Sequence, residues 1–153
     1  EFYLLTRLAG ATKSLLWKLI FASTWMLICG YIGEAFNPGG ASATSHSVTW
    51  GVLSTIGYLY ILYNAWFGEV AILAEKSNSI AIKKGVRSLA WFVLVGWAIY
   101  PIGYMCMEGG WLSSIMDPSS IDVWYNIADA INKIGFGLVV YMIAISETKK
   151  ELA

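Results

Sequence analysis

Charge is scarce in this chain. Only 13% of its 153 residues are Asp, Glu, Lys or Arg, roughly half the share of a soluble domain, while 58% are hydrophobic. That balance excludes an ordinary soluble domain and points to an all-α integral membrane protein. The ten basic and ten acidic residues cancel, so no surplus charge is offered to nucleic acid. Cysteine is nearly absent. Cys29 and Cys106 both fall within apolar segments and lack metal-ligand spacing, which reads as two buried free thiols rather than a disulfide or a metal site. The single histidine, His46, sits in a Ser/Thr loop, where a surface position is the default. No Gly-rich phosphate loop, metal cluster or nucleophile triad is present, so no soluble-enzyme chemistry is indicated. Internal repeats and low-complexity tracts are also missing. The linkers are too short to separate domains, so residues 1–153 read as one transmembrane domain.

Long apolar runs and aromatics are what the chain has in plenty. Eight Trp and nine Tyr suit membrane-interface belts or a cofactor pocket. Spans are expected at about residues 15–32, 48–67, 86–107 and 123–146, with a partial one at about 1–9; ~20 residues at ~1.5 Å each cross a core of ~30 Å. Pro101 is expected to kink its span and free a carbonyl. Residues 68–85 read as a polar connection holding Glu69, Glu75, Lys76, Lys83 and Lys84. Glu108 and Asp117 are expected to be solvated. The opening EFYLLTRLAG reads as the end of a helix, without initiator Met, cap or signal-peptide pattern. A terminus at Glu1 would bury an ammonium group, so the expectation is a fragment whose natural chain extends upstream.

Nine of the ten basic residues lie at or beside alternate loops or in the tail: Arg7, Lys13, Lys18, Lys76, Lys83, Lys84, Arg87, Lys149 and Lys150. The two intervening loops, 34–47 and 108–120, contain none. The positive-inside rule therefore puts the first connection, the 68–85 connection and the C-terminus in the cytoplasm. Lys133 is the basic residue left over, deep in the last span, with Asp129 four residues before it. Either charge costs at least ~2.5–3.5 kcal/mol at that depth, so intramembrane ionisable residues are functional candidates. The i, i+4 spacing puts both on one face in the favourable order. Two readings stand for the pair. It is a structural ion pair that neutralises itself, or Lys133 carries a cofactor as an imine with Asp129 as counterion. Apolar surroundings favour the neutral amine that imine formation needs.

The strings YNIADAINKIGFG (125–137), GWAIYPIGY (96–104) and GYIGEA (30–35) closely resemble the microbial rhodopsins, in particular the bacterial proton pumps of the proteorhodopsin and xanthorhodopsin group. The likeness covers essentially the whole chain. It implies a fragment of a seven-transmembrane-helix retinal-binding bundle, from part of the third helix through the seventh. By this resemblance Lys133 would hold all-trans retinal as a protonated Schiff base and Asp129 would belong to the counterion complex. Trp97, Tyr100 and Pro101 match the family's W-x-x-Y-P stretch against the polyene; Tyr104 shares their helical face. Met26 and Gly30 match pocket positions on the fourth helix, and Ser54 and Tyr58 on the fifth. Gly51 matches the glycine that in xanthorhodopsin-like pumps leaves room for a carotenoid antenna, although glycine is also a common packing residue. Glu1 matches the cytoplasmic proton donor; the primary counterion and its Thr partner would lie upstream of it. Glu34 matches an extracellular carboxylate or is a solvated loop residue.

The resemblance implies an outward light-driven proton pump in the bacterial inner membrane, multi-pass with a cytoplasmic C-terminus. Its partners would be the lipid bilayer, the upstream helices of the parent chain and further copies in a pentamer or hexamer. The alternatives are a photosensory rhodopsin signalling through a partner, or a pump for another ion. Sensors commonly lack a carboxylic donor and other ion pumps usually carry Gln there, so Glu1 favours the proton pump.

Overall fold

The computed structural model describes residues 1–106, 112, 114–115 and 120–152, with the side chains of residues 150 and 151 left out. Glu108 and Asp117, expected to be solvated, lie outside the described residues. A short helix, α1 (Phe2–Thr6), runs into a 3-10 turn, Arg7–Ala9. Gly10 ends that turn at φ 98, a left-handed conformation that glycine adopts without steric cost. Helix α2 (Lys13–Ala35) then starts at Thr12, whose hydroxyl accepts from the Leu15 N–H at 3.3 Å, a side-chain cap for an otherwise unpaired donor. Helix α3 (Ala43–Trp66) follows the loop.

The 68–85 connection is more ordered than its polar composition suggests. It holds α4 (Glu69–Lys76) and the first turns of α5 (Ile80–Trp91). Val70 and Ala74, one turn apart, are buried at 0% and 3% exposure. They form an apolar stripe that the surrounding charges hide from a reading by composition. Ser79 caps α5, its hydroxyl accepting from the Ile82 N–H at 3.2 Å. The same hydroxyl donates to Glu147 Oε1 at 2.5 Å, tying this end of α5 to α7 (Ile121–Glu151). At 31 residues, α7 is about 46 Å long and overruns a ~30 Å core at its ends.

The rod begun by α5 continues through a π turn, Phe92–Gly96, into α6 (Ile99–Cys106). The expected distortion at Pro101 thus falls a turn earlier. The Trp97 N–H reaches back five residues to the Phe92 carbonyl at 3.1 Å. The Trp97 carbonyl, which Pro101 cannot serve, accepts instead from the Tyr100 N–H at 3.2 Å. A π turn is one of the few causes of a sharp helix bend.

Among the described residues, four segments are long and apolar enough to cross a membrane: Lys13–Ala35, Gly40–Lys76, Ile80–Cys106 and Ile121–Lys149. They pack antiparallel in chain order. On the first seam Trp25 Nε1 donates to the Leu53 carbonyl at 2.9 Å and Ser54 Oγ to the Met26 carbonyl at 2.8 Å. Trp66 Nε1 donates to the Ala90 carbonyl at 3.2 Å on the second. Each side-chain donor finds a carbonyl on a neighbouring helix, as lipid surroundings require. Fully buried Leu15, Val70, Leu89 and Val93 belong to the shared core. The outward face of α7 shows Ile127, Ile131, Ile134, Leu138 and Met142, an apolar face suited to lipid.

Gly57 sets the closeness of α2 and α3. A Cβ there would lie 2.6 Å from the Ala22 carbonyl oxygen and 3.0 Å from the Met26 Cβ, so small size is what lets the two helices meet. Gly57→Val is expected to destabilise the bundle by about 1–3 kcal/mol through overpacking. Denaturant unfolding in detergent micelles checks this, with unchanged stability as the contrary result.

Candidate functional site

The inner faces of α2, α3, α6 and α7 enclose an open cleft of about 1060 Å³. Every site residue expected from the sequence lines it. Met26 and Gly30 come from α2, and Gly51, Ser54 and Tyr58 from α3. Trp97, Tyr100, Pro101 and Tyr104 project from the rod that contains α6. Asp129 and Lys133 come from α7, and Glu1 from the start of α1. Helical spacing explains the convergence, because residues three or four apart share a face.

Asp129 is the hub of the polar part. Its Oδ2 lies 2.5 Å from Lys133 Nζ, and its Oδ1 accepts from the Tyr100 hydroxyl. Tyr125 donates to the Tyr100 carbonyl at 3.1 Å, with the two rings 5.6 Å apart. The carboxylate is therefore held from two helices at once, and both oxygens are used. Lys133 opens onto the cleft: its side chain is 75% exposed, against 39% for Asp129. The amine is thus accessible to a ligand in the cleft rather than packed away between helices.

Along α7 the cleft is polarised. Asp129 and Tyr125 lie on the N-terminal side of Lys133, and Phe136 and Gly137 on the C-terminal side. Phe2 packs edge-on against Phe136 with centroids 6.4 Å apart, which sets the neighbouring Glu1 on this second side. Glu1 thus lies toward the Phe136 side of the cleft, and Asp129 on the other side of Lys133 along α7. Gly51 faces Tyr104, two of whose ring carbons would lie 3.0 and 3.1 Å from a Cβ at that position. Gly30 has more room, with Ser54 Oγ 3.6 Å from its virtual Cβ.

Glu34 lines the opposite end of the cleft, near Ser47. His46 is half-buried rather than on the surface, and its Nε2 lies 3.2 Å from the Ile32 carbonyl. It ties the start of α3 to the end of α2. Among the lining residues that sequence reasoning missed are Tyr125, Asn132 and Phe136. Tyr125 stands four residues before Asp129 and Phe136 three after Lys133, so helical spacing would have found both. Asn132 donates to the Gly96 carbonyl at 2.8 Å, a cross-helix bond with no signal in the sequence.

The lining suits an elongated apolar ligand that ends in a group reactive toward an amine. Aromatic and small residues supply most of the wall, with one amine and one carboxylate at its polar point, the usual make-up of a cofactor cleft. A family model described as bacteriorhodopsin-like protein matches residues 1–147. The green-light absorbing proteorhodopsin of Gamma-proteobacterium EBAC31A08 is 35% identical over 97% of this chain and 56% of its own length. The blue-light absorbing proteorhodopsin of Gamma-proteobacterium Hot 75m4 is 33% identical over the same shares. The crystal structure of a blue light-absorbing proteorhodopsin from Med12 superposes with a TM-score of 0.68 at 35% identity, covering 96% of this chain and 60% of that one. The chain spans little more than half the length of these relatives. With the family model spanning nearly all of it and the helices following a proteorhodopsin, the chain belongs to the bacteriorhodopsin-like family of microbial rhodopsins.

Proposed function

We propose that this chain is part of a light-driven outward proton pump in which all-trans retinal is linked to Lys133 as a protonated Schiff base. The observation that carries the reading is the arrangement around Lys133: Asp129, held by Tyr100, is paired with it, and Glu1 lines the same aromatic cleft. Retinal, when bound, supplies light absorption and a polyene whose shape changes on excitation. Lys133 Nζ would be its attachment point. Asp129 would offset the positive charge there, at a depth where an uncompensated charge is costly. Tyr100 would keep that carboxylate oriented. Trp97, Pro101 and Tyr104 would wall the polyene from one helix, and Met26, Gly30, Ser54 and Tyr58 from the others. Glu1 would hold a proton and return it to Nζ from the side away from Asp129, as a general acid within the membrane.

The distribution of Lys and Arg supports a cytoplasmic C-terminus, which makes the Glu1 side cytoplasmic and the transport outward. A bacterial inner membrane, a pentamer or hexamer, and upstream helices of a longer parent chain complete the reading. No carotenoid is carried into it, because the Tyr104 ring beside Gly51 gives that glycine a packing role.

Two outcomes are expected in the full-length parent protein. Borohydride reduction of the retinal-loaded protein fixes the retinyl mass on the peptide containing Lys133, and Lys133→Ala forms no coloured pigment. Label on another residue would refute the attachment. Glu1→Gln is expected to slow proton uptake after a flash by about 100-fold, the scale of losing a general acid. A pH-indicator dye follows this, and an unchanged transient would remove Glu1 from the pathway.

A further inference from the structure

The rod that carries Trp97 and Tyr100 is not a continuous α-helix. At the π turn Phe92–Gly96 the ordinary ladder is out of step, and its carbonyls need donors from elsewhere. Lipid offers none. Two buried side chains supply them from two neighbouring helices. Tyr58, from α3, donates its hydroxyl to the Val93 carbonyl at 3.1 Å and the Leu94 carbonyl at 3.0 Å. Asn132, from α7, donates its amide to the Gly96 carbonyl at 2.8 Å. Gly96 is shaped for this contact: a Cβ there would fall 2.8 Å from the Asn132 Cγ, displacing the amide. Trp97 follows the turn directly and Asn132 precedes Lys133 directly, so the bond joins the residue steps that carry the aromatic wall and the amine.

We propose that Tyr58 and Asn132 are positioning residues that lock this wide turn and so set Trp97 and Tyr100 against Lys133 and Asp129. The lock acts on the backbone, and each of its bonds joins two protein groups. Released, the turn would revert toward a regular helix or fray, and Trp97 would shift relative to the amine. Only the spectral consequence rests on reading the cleft as the retinal site.

The test uses the full-length protein with Tyr58→Phe, which keeps the ring, and Asn132→Leu, which keeps the volume. Amide hydrogen exchange is measured first without retinal, comparing residues 92–97 with residues 80–91. Each variant is expected to speed exchange across 92–97 by about tenfold, as local opening does when its closing bonds are lost, and to leave 80–91 unchanged. Ser54→Ala, whose hydroxyl serves Met26 instead, is expected to leave 92–97 unchanged. Retinal is then added, and both lock variants are expected to shift the absorption maximum. Unchanged exchange at 92–97 in either variant, or equal acceleration along 80–91, would overturn the lock. Accelerated exchange with an unmoved absorption maximum would overturn the positioning of Trp97. If the unaltered protein forms no pigment, the retinal reading fails while the exchange measurement still decides the lock.

Discussion

A charged amine deep in an apolar helix is the constraint on which this structure turns. Lys133 is tolerable there only with an anion at hand, and Asp129 supplies it one helical turn away. That carboxylate needs partners of its own, which brings in Tyr100 from α6 and, through the Tyr100 carbonyl, Tyr125 from α7. One unfavourable charge thus organises the facing surfaces of two helices. Much of the remaining wall is apolar and aromatic, and Lys133 is the one lysine among the lining residues. An amine-reactive ligand in such a cleft has one place to attach.

The second constraint is the backbone. In lipid every N–H and carbonyl must be satisfied within the protein, and each departure from a regular helix creates a debt of hydrogen bonds. This bundle departs in the span that lines the cleft, at the π turn before Trp97. It meets the need with Tyr58 and Asn132 rather than with solvent. A wide turn held by side chains of two neighbours places aromatic groups where a straight helix would not. Function and distortion therefore sit together, as π turns often do.

Much of this was legible in the sequence, for identifiable reasons. Lipid makes apolar run length a strong signal, so the spans stood out. The lone Lys133 stood out because every other basic residue has a loop or helix end nearby. The converging wall residues followed from helical spacing and from the resemblance carried by three motifs. Other features were hidden. Helix α4 buries Val70 and Ala74 and packs Leu73 against the core, inside a connection that its five charged residues mark as polar. Pro101 drew attention to itself, whereas the π turn lies at a stretch of Phe, Val, Leu and Gly that has no proline in it. The bonds of Asn132 and His46 to carbonyls on other helices depend on how the helices come together. No local pattern announces them.

The most direct measurement is the light-induced pH change of cells that express the full-length parent protein and are supplied with retinal, with and without a protonophore. The account predicts acidification of the medium on illumination that the protonophore abolishes. A coloured protein that moves no protons would contradict the pump and favour a photosensor. The absence of colour would contradict the attachment at Lys133 itself.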